Sequence, residues 1–126
     1  MSQLLLVEDR ESILHSLKML LELEGYEVFT ATTRDSVKEI LEKQAIDLIL
    51  LDVYFRTEED KQVNGYEILE TIRRTPAWRD IRVLMTSGMD FGDQALQAGA
   101  DGFLLKPYLP ETLVNLVQRY LEENGK

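Results

Sequence analysis

Carboxylates close two apolar segments of this chain, and a lysine closes a third. Gln3–Val7 reads Q-L-L-L-V and runs into Glu8 and Asp9; residues 47–51 read D-L-I-L-L and run into Asp52; residues 101–105 read D-G-F-L-L and run into Lys106-Pro107. If the three are neighbouring parallel strands, all four charged groups gather at their carboxyl ends, where open α/β sheets hold their ligands. Three acids brought that close repel one another. A hard divalent cation with oxygen ligands, together with the lysine ammonium, would balance them.

Positioning those groups requires a sheet, and the rest of the chain alternates as one would. Ile13, Leu14, Leu17, Leu20 and Leu21 recur at helical spacing up to Gly25, a C-cap candidate. Residues 26–31 (Y-E-V-F-T-A) suit a strand. Thr32 or Thr33 then caps a helix carrying Val37, Ile40 and Leu41. Residues 45–51 show little polar alternation, as in a strand covered on both faces. The polar stretch 54–64 reads as a loop, and Gly65 opens a helix with Ile68, Leu69 and Ile72 inward, ended by Thr75-Pro76. Residues 81–85 form the fourth strand, finishing at Thr86-Ser87-Gly88. Residues 90–98 form a poorly apolar helix with Ala95, Leu96 and Ala98 as its face. Gly102–Leu105 is the fifth strand, and Pro110 starts a last helix burying Leu113, Val114, Val117, Tyr120 and Leu121. Five strands and five helices in alternation predict a doubly wound parallel sheet with right-handed crossovers.

The 126 residues fit one domain, 1–126, with neither repeat nor linker. No apolar run approaches a membrane span, and the first residues lack the basic start of a signal peptide, so the expected location is the cytoplasm. Without cysteine there is neither disulfide nor thiolate metal site. A net charge of −9 argues against binding nucleic acid through this domain and favours protein partners.

Glu8-Asp9, Asp52, Thr86 and Lys106-Pro107, in order on this alternation, resemble the receiver domain of bacterial two-component response regulators. The likeness runs over residues 3–122 and includes L-L-L-V-E-D, D-L-I-L-L-D, N-G-Y-E-I-L, M-T-S and A-G-A-D-G-F-L-L-K-P. It implies the CheY-like, flavodoxin-like strand order 2-1-3-4-5. It also implies that Asp52 accepts a phosphoryl group from a histidine kinase or phosphotransfer protein. Magnesium would be held by Asp9, Asp52 and the backbone carbonyl of Tyr54, with Glu8 acting mainly through water. Lys106 and the Thr86 hydroxyl would meet the phosphoryl oxygens. Thr86 and Phe103 would then carry the switch to an output face of the fourth helix, fifth strand and fifth helix, which contacts an effector, an output domain or a second copy. Such a domain turns over no external substrate; it catalyses only its own phosphorylation and dephosphorylation. The Lys-Pro bond is often cis in this family.

One segment departs from the family pattern. Asp52 is followed by V-Y-F-R-T-E-E-D-K-Q-V-N-G, longer than usual and without the expected Met-Pro. Tyr54 and this acidic stretch are expected to slow hydrolysis or to shape kinase docking. Neither a Walker loop nor G-x-G-x-x-G is present, which argues against nucleotide binding. His15 stands as the only histidine, on the outer side of the first helix, which leaves a zinc hydrolase without support. The competing reading is a pseudo-receiver acting as a phosphorylation-independent interaction module. The intact acidic cluster speaks against it, because a scaffold has no need of so costly a group of charges.

Overall fold

β1 (Gln3–Val7) is followed by α1 (Glu11–Leu23), β2 (Glu27–Ala31), α2 (Arg34–Lys43) and β3 (Leu48–Asp52). A short pair, β4 (Tyr54–Arg56) and β5 (Gln62–Asn64), precedes α3 (Gly65–Arg74), β6 (Arg82–Ser87), α4 (Gly92–Gln97), β7 (Gly102–Leu105) and α5 (Pro110–Asn124). This is a computed structural model, and it describes residues 1–56 and 62–124. Five strands form one parallel sheet in the order β2-β1-β3-β6-β7. Counting only those strands, this is the expected 2-1-3-4-5.

Neighbouring residues on the strands serve opposite faces. Leu5, Val7, Ile49, Leu51, Val83 and Met85 join a core with Val37 and Leu41 of α2, Ile68, Leu69 and Ile72 of α3, and Ala95 of α4. Leu4, Leu6, Leu48, Leu50, Leu84 and Leu104 join a second core with Leu14 and Leu21 of α1 and Leu113 and Val117 of α5. With helices on both faces, the strands need no polar alternation, which explains runs such as L-I-L-L. Each fully buried leucine contributes roughly 1.5–3 kcal/mol, so the sheet's centre is its most firmly held part.

The helix ends follow the sequence signals. Thr33 Oγ1 accepts from the Ser36 amide at 3.1 Å and caps α2. After α1, Gly25 takes φ +95°, its amide donating to Glu22 O at 3.0 Å and that of Tyr26 to Leu21 O at 3.3 Å. This is the left-handed closure that glycine adopts most readily.

Two expectations need correction. The described part of 54–64 is not loop but an antiparallel hairpin, Tyr54 facing Asn64, Phe55 facing Val63 and Arg56 facing Gln62. Phe55 and Val63 are buried in the core beneath α3, while Tyr54 and Gln62 are exposed. Each strand is only three residues long, too short to stand out beside the polar run between them. The expected face of the 90–98 helix is also wrong in part: of its three residues only Ala95 is buried, and Leu96 and Ala98 face outward. A helix of six residues has room for little more than one inward position.

Candidate functional site

Strand register brings the site together. Asp52 ends β3 and is the register partner of Thr86 on β6. The Val53 amide donates to the Thr86 carbonyl at 2.9 Å, carrying the pairing one residue beyond the acid. On the other side, Val7 pairs with Leu51, which sets Glu8 and Asp9 beside Asp52 at the same sheet edge. Lys106 follows β7, its amide donating to Ser87 O at 2.8 Å, and the Lys106–Pro107 peptide is cis.

The side chains converge at this edge. Lys106 Nζ lies 2.9 Å from Asp52 Oδ1 and 2.9 Å from Glu8 Oε2. Thr86 Oγ1 donates to the same Asp52 Oδ1 at 3.0 Å. Glu8 Oε1 accepts from the amides of Asp9 at 3.2 Å and Arg10 at 3.4 Å. Glu8, Asp52 and Thr86 are buried, with 6, 4 and 2 % of their surface exposed, whereas Asp9 is half-buried. Asp52 is nevertheless not sealed in. It lies in an open cleft also lined by Glu8, Asp9, Tyr54, Lys106 and Tyr108.

Charge in this cleft is unbalanced. Burial, followed by a hydrogen bond with Asp9, pushes Glu8 up to about 7, against a smaller opposing pull from Lys106. For Lys106, burial works against the charge, but Asp52 and Glu8 more than offset it and hold the ammonium above its ordinary pKa. Burial also raises the Tyr108 phenol, against a smaller opposing pull from Lys106. Burial, ahead of the neighbouring acids, is what holds the Glu8 carboxyl group up. Glu8, Asp9 and Asp52 each offer an oxygen within 4.8 Å of the others and could hold a metal ion. An all-oxygen donor set of this kind fits a hard divalent cation.

Of the residues expected at the site, Glu8, Asp9, Asp52, Tyr54 and Lys106 share the cleft, and Thr86 bonds the acid from its buried side. Phe103 stands apart, pairing in register with Met85 and packing, half-buried, on the α2–α3–α4 side of the sheet. His15 is exposed on α1. Two contributors were missed in the sequence. Gly65, read only as a helix start, is where the chain passes so close to β3 that a Cβ would collide with the Asp52 carbonyl oxygen. Its amide donates to Val53 O at 2.6 Å and fixes the backbone just after the acid. Asn-Gly before a helix was the available signal. Tyr108, next to the Lys-Pro pair, carried none.

A family model described as the response regulator receiver domain matches residues 4–118. The alginate biosynthesis transcriptional regulatory protein AlgB of Pseudomonas aeruginosa is 36% identical over 121 residues, 95% of this chain and 26% of that protein. The phosphate regulon transcriptional regulatory protein PhoB of the same species is 28% identical over 125 residues, 97% of this chain and 52% of that protein. Among solved structures, the chemotaxis response regulator CheY4 of Vibrio cholerae superposes with a TM-score of 0.84 at 28% identity, covering 95% of this chain and 98% of that one. The chain thus spans about a quarter of the first relative and half of the second. The family match runs from β1 into α5 and leaves no strand of the sheet outside it, and this chain belongs to the receiver domains of two-component response regulators.

Proposed function

We propose that Asp52 is the phosphoryl acceptor of this receiver domain and that its occupancy switches an output face. One observation carries the reading: Lys106 and Thr86 both address the same oxygen of Asp52, at 2.9 and 3.0 Å. A phosphoryl group arriving there meets an ammonium and a hydroxyl already in position, so little reorganisation remains for the reaction itself. An Asp52 oxygen forms the new O–P bond while the N–P bond of a phosphohistidine donor breaks. The imidazole takes a proton as it leaves.

Glu8, Asp9 and Asp52 would hold magnesium, with the Tyr54 carbonyl as a further ligand. The chemistry such an ion would supply is neutralisation of the negative charge on nucleophile and donor. Lys106 supplies the remaining positive charge from the protein, and Glu8, held by Lys106 and two amides, keeps that ammonium in place. The same groups would support slow loss of the phosphoryl to water, with no external substrate turned over.

The donor is a histidine kinase or phosphotransfer protein in the cytoplasm. Readout uses Thr86, Phe103 and the α4–β7–α5 face, which exposes Leu96 and Leu105 to an effector, an output domain or a second copy. Residues 1–126 act as one domain, alone or within a longer regulator. No helix among the described residues is long and apolar enough to cross a membrane.

Incubation with acetyl phosphate and magnesium, followed by intact-mass measurement, tests the proposal. The wild-type chain gains one phosphoryl group and Asp52→Asn gains none. Equal phosphorylation of both proteins, or of neither, would remove Asp52 from this role.

A further inference from the structure

Tyr54 and Phe91 form the only aromatic ring pair among the described residues, and they join the short strand that follows the acceptor's to α4. Tyr54 stands two positions after Asp52 on β4, and Phe91 is the N-cap residue of α4. Their ring centroids are 6.1 Å apart with planes at 74°, the edge-to-face arrangement that aromatic quadrupoles favour.

The two ends of this contact are held very differently. β4 is anchored, because Phe55 is buried beside Tyr54 and Gly65 bonds Val53 O just before it. α4 has six residues, buries Ala95 alone, and begins without a side-chain cap on Phe91. Its start is tied down by Asp90 Oδ1, which accepts from the Gly92 amide at 3.2 Å, and by the Phe91 amide, which donates to Met89 O at 2.9 Å. Phe91 also packs on the edge of the core, and two ring contacts complete the hold. One is Phe91 against Tyr54; the other is Phe103, whose Cδ2 lies within 3.7 Å of where a Cβ on Gly92 would stand. The helix start is therefore held from the hairpin on one side and from β7 on the other.

Asp52 is a free carboxylate here, its Oδ1 accepting from Thr86, and the Tyr54–Phe91 contact stands in that same geometry. A contact shifts an equilibrium only by the difference in its strength between the two states. We propose that the Tyr54–Phe91 contact is a brake: it fastens α4 to the hairpin while Asp52 is empty and opposes rearrangement of α4 when the site fills. The inference rests on the function proposed above, since a site that never fills has nothing to release.

Calorimetric titration of the full chain with beryllofluoride and magnesium tests it, using wild type, Tyr54→Leu, Phe91→Leu and the double variant. Each single change tightens binding threefold to tenfold, and the double variant binds no more tightly than the tighter single one, because one contact is lost in all three. Phe91→Leu is the decisive arm, since Phe91 does not line the acid cleft; Phe91→Met replaces it should far-UV circular dichroism show that Phe91→Leu is unfolded. Unchanged or weakened binding in the Phe91 variant, or additive effects in the double variant, overturns the brake alone. Absence of binding in all four proteins overturns the acceptor reading and the brake with it.

Discussion

Residue 65 cannot carry a side chain without displacing residue 52, because a Cβ on Gly65 would run into the carbonyl oxygen of Asp52. The hairpin returns to the sheet at this point, and the amide of Gly65 donates to Val53 O at 2.6 Å. The obstacle is backbone rather than a flexible side chain, so the clash has no inexpensive relief. Gly65→Ala is therefore expected to cost about 1–3 kcal/mol, seen as a lower urea midpoint. It should also reduce phosphorylation by acetyl phosphate by more than the loss of folded protein accounts for. Wild-type stability in this variant would mean that the backbone at Asp52 yields freely.

Glu8 predicts how stability varies with pH. Its folded-state value of about 7 lies above the 4.5 of an ordinary glutamate, so between these limits the folded chain binds a proton that the unfolded chain has released. Stability from Glu8 is thus fully present below pH 4.5 and is lost as pH rises through 7, a change on the order of 3 kcal/mol. In metal-free buffer the urea midpoint should fall over this window, and Glu8→Gln should flatten the fall. Magnesium competes for the ionised acids, so its stabilising effect should be larger at pH 8 than at pH 5.5. A wild-type profile identical to that of Glu8→Gln would show that the burial of Glu8 has no such consequence.

Lys106 joins Glu8 and Asp52, and neither partner has another lysine or arginine within ion-pair distance among the described residues. Lys106→Met keeps most of the side-chain volume but removes the ammonium. Phosphorylation of Asp52 by acetyl phosphate should slow by about 10²–10³-fold, the usual effect of losing one preorganised charge at a reacting group. Lys106→Arg should not restore the rate, because a planar guanidinium cannot occupy the place of a compact ammonium between two acids. Near-normal rates in either variant would count against the role given to Lys106.

The hairpin separates two functions on adjacent residues. Phe55 is 1 % exposed and belongs to the core, so Phe55→Ala should cost about 3–5 kcal/mol in chemical denaturation. Tyr54 is 44 % exposed and lines the acid cleft, so Tyr54→Asn should cost only its ring contact with Phe91, about 1 kcal/mol. Its expected effect is instead a shorter aspartyl-phosphate lifetime, measured as loss of the phosphorylated mass after donor removal. The same lifetime in both proteins would show that the Tyr54 ring does not shield the acyl phosphate from water.

Alternation of apolar runs with helical spacing determined the five parallel strands, because burial on both faces leaves L-L-L-V and L-I-L-L few alternatives. The positions of Glu8, Asp9, Asp52 and Lys106 at strand ends were legible for the same reason, since a polar residue that stops an apolar run must emerge at a sheet edge. Contact between them was not legible: the bond from Lys106 to Glu8 spans 98 positions, and strand order and register decide it. Nor could the sequence reveal the hairpin, whose strands of three residues are too brief to show a pattern, or the need for glycine at residue 65. Local pattern reports what each segment must bury. Only the closed fold reports which backbone lies against which, and here that places the Asp52 carbonyl against residue 65 and the ring of Tyr54 against Phe91.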